Sequence, residues 1–271
     1  MDQPGPLTEK SARVVSSRKL FARAHRAATT EFLVDGPQAV REALQFGTVT
    51  QLFFDINTVD RLAEIHQIAV VAKIPVRYCT TKAIASLAQS VTPQGVVAQC
   101  ASIDASLADL GQPRLLAIAL EVRDPGNAGA IIRCADAAGA DGVIIAGDSV
   151  DIYNAKVIRS TAGSLFHLPI VRTDDVTGLI ADMKSRGLIV IATEGEAPLD
   201  LDEIIDAGGL AGPTAWLFGN EARGLPDEVA QLADLRVRIP IRGRAESLNL
   251  ATASAVCLFA SARAHREIAT S

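Results

Sequence analysis

Trp216-Leu-Phe-Gly-Asn-Glu-Ala-Arg-Gly-Leu-Pro226 sets how the rest of the chain reads. An apolar run, Thr214 to Phe218, enters a loop that holds two glycines and both charge signs, and Pro226 then opens a helix. A short run that is apolar at every position suits a central strand of a parallel sheet, buried on both faces. Pro226 fits the first helical position, with Asp227 and Glu228 favourable in the first turn. Gly219 and Gly224 permit close backbone approach or a positive φ. Asn220, Glu221 and Arg223 therefore fall at the carboxyl end of a strand, where open α/β sheets gather their ligands. The plan recurs around Asn127–Arg133 and around Ser247–Asn249, and three such loops predict one composite site.

Working outward, strands are predicted at Leu115–Leu120, Gly142–Ala146, Leu188–Ala192, Thr214–Phe218 and Val237–Ile241. Helices lie between them, and an Ala-rich helix runs from about Ser247 to Glu267. Pro240 inside the last strand implies an edge or a bend. Residues 31–101 form a second α/β pattern, with strands at Glu31–Val34, Val49–Phe54, Pro75–Tyr78 and Gly95–Cys100. Its helices run from Gly36-Pro37 to Phe46, from Asp60 to about Ala72, and from a Thr81 cap to Ala88. It holds no titratable constellation of catalytic type and reads either as a scaffold or as a recognition domain. Residues 102–113 are polar and turn-rich and read as a linker. The expected organisation is thus 1–30, a basic helix; 31–101, a small α/β domain; 102–113; and 114–271, the main α/β domain.

With 271 residues, 49% of them hydrophobic and 4% aromatic, the core is expected to be Ala, Val, Leu and Ile. Cys79, Cys100, Cys134 and Cys257 are scattered without C-x-x-C pairing, which fits reduced thiols in a cytoplasmic protein and no metal site. The N-terminus lacks an apolar signal core and no apolar run approaches a membrane span. The net charge of −5 hides a segregated distribution: residues 1–30 carry about +4 and the remainder about −9. Thr8 is expected to cap a helix to about Ala28 that displays Lys10, Arg13, Arg18, Lys19, Arg23 and Arg26. Two readings stand open for it, a solvated surface helix and a phosphate-binding arm.

In the first loop, Asp124-Pro125-Gly126 reads as a turn and Asn127 as a helix cap, with Ile131, Ile132, Ala135 and Ala138 on the apolar face and Arg133 off it. Strand–turn–helix also suits a dinucleotide fold, but G-x-G-x-x-G is missing, which disfavours an oxidoreductase. In the third loop, Arg236, Arg238, Arg242 and Arg244 flank a strand end, and Ser247 reads as a helix cap.

Asn127 with Arg133, then Phe218-Gly-Asn-Glu-Ala-Arg-Gly-Leu225, then Ile239-Pro-Ile through Ser247-Leu-Asn249, resemble the three ordered motifs of the SpoU (TrmH-like) RNA ribose 2′-O-methyltransferases of the SPOUT superfamily. The resemblance covers Leu115 to the C-terminus strongly and Phe32–Ala101 more weakly, as that family's small RNA substrate-binding domain. It implies a parallel-sheet domain with a deep trefoil knot, a departure from the unknotted default. It further implies S-adenosylmethionine as cofactor, S-adenosylhomocysteine as product, and a homodimer. By motif, Gly219, Ile239, Leu248 and Asn249 are expected at the cofactor, with Leu217 beside Gly219 and with Thr193 and Glu194, ending the Leu188–Ala192 strand, at the adenosine side. Asn127, Arg133, Glu221, Ser247 and Asn249 are expected at the reaction, Arg133 beside the cofactor of the other subunit and Glu221 paired with an arginine. The substrate class implied is structured RNA, most of all 23S rRNA. Arg13, Arg18, Lys19, Arg23 and Arg26 are the expected RNA contacts. The alternatives are a tRNA 2′-O-methyltransferase and a non-catalytic RNA-binding relative.

Overall fold

The computed structural model describes residues 5–88 and 92–269. The chain divides into two compact units: the residues up to Ile103 together with Tyr153–His167, and Asp104–Ile152 together with the residues from Leu168 onward.

The smaller unit is built on four strands, β1 (Glu31–Asp35), β2 (Val49–Asp55), β3 (Val76–Cys79) and β4 (Val96–Ala101), in the order β1-β4-β2-β3. β4 pairs antiparallel with β1 and β2, while β3 joins β2 in parallel. Helices Pro37–Phe46 and Ala63–Val71 lie where the pattern predicts. Thr80 rather than Thr81 caps Thr81–Leu87, its side chain accepting from the Ala83 amide. The expected single N-terminal helix is three pieces: Ala12–Arg18, a 3-10 turn Lys19–Phe21, and Arg23–Thr29. Ala22 is extended and breaks it. The Arg26 guanidinium donates to the Leu20 and Phe21 carbonyls, both at 2.7 Å, and so satisfies acceptors that the break leaves without helical partners. Ser11 precedes the first piece, and its side chain makes no cap bond. Val14 enters the core with Phe53, Ile84 and Val97. Ser17 donates to Gln99 Oε1 at 2.7 Å, and Gln51 Nε2 donates to the same oxygen at 2.7 Å, which fixes the first helix to the sheet by buried polar groups.

The Tyr153–His167 segment also belongs to the smaller unit, although its sequence lies between strands of the larger one. Tyr153 packs against Phe32 with ring centroids 4.5 Å apart and the rings tilted by 41°, and its hydroxyl bonds the Ser102 side chain and the Ile103 amide. Asn154 caps the helix Ala155–Thr161.

The larger unit is one sheet of eight parallel strands. They are β5 (Asp104–Ala105), β6 (Leu115–Leu120), β7 (Gly142–Ala146), β8 (Ile170–Thr173), β9 (Ile189–Thr193), β10 (Leu199–Asp200), β11 (Thr214–Phe218) and β12 (Leu235–Arg238). The order is β10-β12-β9-β11-β6-β7-β8-β5. β6 and β11 are buried at every position, as their uninterrupted apolar sequences require. β5, β8 and β10 were not expected. Two of them are two residues long, and β8 ends in a polar pair after Pro169. β5 and the 3-10 turn Leu107–Leu110 occupy the segment expected to be a linker. β12 starts at Leu235 and stops before Pro240, because proline has no N–H to give the ladder. The last helix is Leu250–Ala269. It starts three residues later than expected, and Asn249 rather than Ser247 caps it by accepting from the Ala251 amide at 2.9 Å. No helix among the described residues is long and apolar enough to cross a membrane.

Candidate active site

The three polar loops meet at the carboxyl ends of β6, β9, β11 and β12, in the larger unit. Asp124, not Asn127, caps the first helix, Pro125–Ala137, by accepting from the Asn127 amide at 2.9 Å. Asp124-Pro125-Gly126 is thus the helix start rather than a separate turn, with Pro125 in the first helical turn. Asn127 is thereby freed from capping. Its side-chain Nδ2 donates to Glu221 Oε1 at 3.2 Å, and its Oδ1 accepts from Asn249 Nδ2 at 3.0 Å. One residue from each motif is tied into a single chain of hydrogen bonds.

Glu221 does not pair with an arginine side chain. Its two oxygens accept from the backbone amides of Arg123 at 3.2 Å and Asp124 at 3.0 Å, besides Asn127. Partial burial pushes the Glu221 carboxyl up, but its own amide, those of Arg123 and Asp124, and the Asn127 side chain outweigh burial and hold it below the ordinary value. The arginine of that loop, Arg223, instead pairs with Glu121 at 2.8 Å. Glu121 has φ 52°, left-handed backbone at the end of β6, and Asn220 Nδ2 donates to its carbonyl at 2.8 Å. Non-glycine residues adopt this conformation only where the surroundings over-determine it. The sequence reading placed Asn220 in the loop without giving it a role and gave none to Glu121, whose only signal was a polar residue following an apolar strand.

Gly219 approaches its own loop. A Cβ there would lie within 2.5 Å of the Gly224 carbonyl oxygen and the Leu225 amide. Asn220 and Gly224 exchange two backbone hydrogen bonds of 2.9 Å, and Gly224 has φ 68°, so the loop is a closed turn needing both glycines. The requirement for glycine at 219 is therefore internal to the loop.

A cleft of about 200 Å³ opens over these loops. Thr193, Glu194, Gly219 and Ile239 wall it on the strand side, and Ser247 and Leu248 on the side of the last helix, with Glu221 at the rim. Leu217 is not on the wall; its side chain is in the sheet core, and its carbonyl accepts from Thr193 Oγ1 at 3.0 Å. Glu194 is held by Arg236, while Arg238 and Arg242 pair with Asp200 and Asp202. The third loop is thus less cationic than its four arginines imply. The cleft suits a nucleoside-bearing cofactor: backbone at Gly219 and Gly224, apolar contacts from Val237, Ile239 and Leu248, and polar groups at Thr193 and Glu194.

Arg133 is exposed and does not line this cleft. It lies six residues beyond Asn127, about 9 Å along the helix and about 120° around it. Arg13, Arg18, Lys19 and Arg23 are exposed in the smaller unit, whereas Arg26 is half-buried and bound to backbone. Burial and then Asp55 raise the Cys79 thiol to about 11, and burial raises Cys100, Cys134 and Cys257. Among the described residues, no group of three or more His, Cys, Asp or Glu side chains is placed to hold a metal ion.

The profile of the SpoU rRNA Methylase family matches residues 114–259, and that of the RNA 2'-O ribose methyltransferase substrate-binding domain matches residues 33–105. The chain belongs to the SpoU rRNA methylase family. It is 30% identical over 251 residues to the 23S rRNA (guanosine(2553)-2'-O)-methyltransferase RlmP of Bacillus subtilis, covering 92% of this chain and 96% of that protein. Among solved structures, the AdoMet-bound rRNA methyltransferase of Sinorhizobium meliloti superposes with a TM-score of 0.82 at 32% identity, over 96% of this chain and 97% of that one. The SpoU methyltransferase AviRb of Streptomyces viridochromogenes, in complex with AdoMet, gives 0.82 at 29% identity over 96% and 100%. As a SpoU-family chain it has the expected α/β parallel-sheet fold with a separate N-terminal substrate-binding domain.

Proposed function

We propose that this protein transfers the methyl group of S-adenosylmethionine to a ribose 2′-hydroxyl of 23S rRNA. The observation that carries it is the hydrogen-bonded chain Asn249–Asn127–Glu221, which joins all three family motifs and reaches the cleft at Glu221. The RlmP relative, matched over 92% of this chain and 96% of its own length, is named as a 23S rRNA enzyme, which favours rRNA over the tRNA alternative. The intact motif network speaks against a non-catalytic relative.

Thr193, Glu194, Gly219, Ile239, Leu248 and Asn249 hold the cofactor, with Leu217 supporting Thr193 from behind. When bound, S-adenosylmethionine supplies an electrophilic methyl carbon. The protein must align the ribose oxygen with it, and alignment alone can remove as much as ~7–11 kcal/mol of barrier. Asn127, Glu221, Ser247 and Asn249 position the nucleotide. Arg133 stabilises the developing alkoxide and clamps the neighbouring phosphate, since a guanidinium is effectively always protonated and makes a poor base. Its offset from Asn127 supports action at the cleft of a second protomer in a homodimer. Val256 and Phe259, 39% and 50% exposed on the last helix, supply apolar surface for that dimer. A trefoil knot is the reading of the C-terminal strands: β11 lies between β9 and β6, while β12 returns to the other side of β9. The exposed Arg13, Arg18, Lys19 and Arg23 contact RNA phosphates, with Arg26 holding their scaffold. The protein acts in the cytoplasm.

Labelled S-adenosylmethionine incubated with the protein and unmodified total RNA tests this reading. Label in ribose 2′-O-methyl groups of 23S rRNA is expected; label confined to tRNA, or none, contradicts it.

A further inference from the structure

The loop that carries Arg123 and Asp124 is gripped from two sides. Glu221 holds the Arg123 and Asp124 amides from the β11 side. From the β7 side, Ser149 Oγ accepts from the Val122 amide at 3.1 Å and donates to the Ala146 carbonyl at 2.8 Å. The Val150 amide donates to the Val122 carbonyl at 2.8 Å, and Asp148 pairs with Arg123 at 2.6 Å. Val122 is fully buried, so Ser149 is the acceptor of an amide that water does not reach. Residues 148–150 are therefore a strap over the loop that starts the Asn127 helix.

The same strap leads directly out of the larger unit. Ile152 is its last residue there, and Tyr153 is anchored in the smaller unit by Phe32, Ser102 and Ile103. Two residues, Val150 and Asp151, separate the bonded Ser149 from Ile152 at the crossing, too few to absorb a shift without passing it on. The chain also crosses at Ile103–Asp104 and His167–Leu168.

We propose that Ser149 is a positioning residue, and that the 148–152 strap makes the arrangement of Asp124 and Asn127 depend on RNA held by the smaller unit. The proposal rests on the RNA methyl-transfer reading above. It gives a reason for Tyr153–His167, whose sequence lies between strands of the larger unit, to belong to the smaller one: the motif loop is set in place when substrate is engaged, so the differential contact lies in the reacting complex.

Two variants test it with an unmethylated 23S rRNA transcript as probe. Ser149→Ala removes the acceptor of the Val122 amide, and a Gly-Gly insertion between Ile152 and Tyr153 slackens the crossing. Each is expected to lower kcat about tenfold while the KM for RNA and the affinity for S-adenosylmethionine stay within about twofold. Hydrogen exchange supplies a readout that needs no turnover. The transcript is expected to slow exchange of the Val122, Arg123 and Asp124 amides in the unaltered protein and to leave it unchanged in the insertion variant. Unchanged kcat in either variant, equal loss of kcat and cofactor affinity, or equal protection in both proteins overturns the strap. A protein that binds the transcript and protects these amides yet methylates no RNA contradicts the methyl-transfer reading instead.

Discussion

At the scale of single residues, the site rests on which side chains are already occupied. Arg123, Arg223, Arg236, Arg238 and Arg242 all pair with carboxylates within the larger unit. Arg133 is exposed on the motif helix, available to a substrate phosphate or alkoxide. Arg133→Ala is therefore expected to keep S-adenosylmethionine affinity within about threefold and to lose at least ~10²-fold in single-turnover rate, the scale of one removed electrostatic contact. A near-normal rate removes the residue from the chemistry. Glu221 gives a pH signature. Its carboxyl is held below the ordinary 4.5, so the order it confers on the loop is present above that value and is lost as pH falls through its lower folded value. Cofactor affinity should hold down to pH 4.5 and fall below it, whereas Glu221→Gln should bind less tightly near neutrality and lack the acid-side drop; titration calorimetry across pH reads both. The residue types at the site were legible because polar residues at three strand ends have few structural reasons to be there. Their partners were not. Glu221 turned to backbone amides rather than an arginine, and Asn127 gave up the cap to Asp124, because three-residue offsets at a helix start leave several side chains able to reach the same amide.

At the scale of elements, uninterrupted apolar runs located β6, β7 and β11 to the residue, since only a buried parallel strand tolerates them. The two-residue strands β5 and β10 carry too few residues to show any period, and the basic N-terminal run hid the break at Ala22 behind good helix formers. The last helix is registered on β11 by Ser261, whose hydroxyl accepts from Trp216 Nε1 at 2.9 Å and from Thr214 Oγ1 at 3.1 Å, all fully buried. Ser261→Ala leaves both donors unsatisfied and should cost ~1–3 kcal/mol, seen as a lower denaturant midpoint with an unchanged slope. A midpoint equal to the wild type would show that the helix is not held there. Gly219→Ala should act through its own loop: the added carbon meets the Gly224 and Leu225 backbone, so cofactor affinity should fall by at least about tenfold, ~1.4 kcal/mol. Unchanged affinity by calorimetry would mean that the loop relaxes without consequence for the cleft.

At the scale of the whole molecule, charge and topology divide the work. The net charge is −5, and the exposed cations Arg13, Arg18, Lys19 and Arg23 stand on a segment fixed to the smaller unit by Val14, Ser17 and Leu20. Replacing Arg18, Lys19 and Arg23 with Ala should weaken RNA binding and flatten its salt dependence by up to about one unit of slope for each phosphate no longer neutralised, leaving cofactor affinity unchanged. Affinity and slope both untouched would return the segment to an ordinary solvated surface. The α/β pattern read from residue 114 onward falls in the larger unit, but that unit already begins at Asp104, inside the segment expected to be a linker. The membership of Tyr153–His167 in the smaller unit was not legible, because nothing local in a helix of seven residues says which sheet it will cover. The central claim, ribose methylation of 23S rRNA through Arg133, is tested most directly by mapping 2′-O-methyl groups across the RNA of cells lacking this protein and supplied with either the wild type or Arg133→Ala. A 2′-O-methyl mark in 23S rRNA that returns with the wild type and not with the variant is the result expected. Identical maps in all three strains, or a mark restored equally by Arg133→Ala, would contradict it.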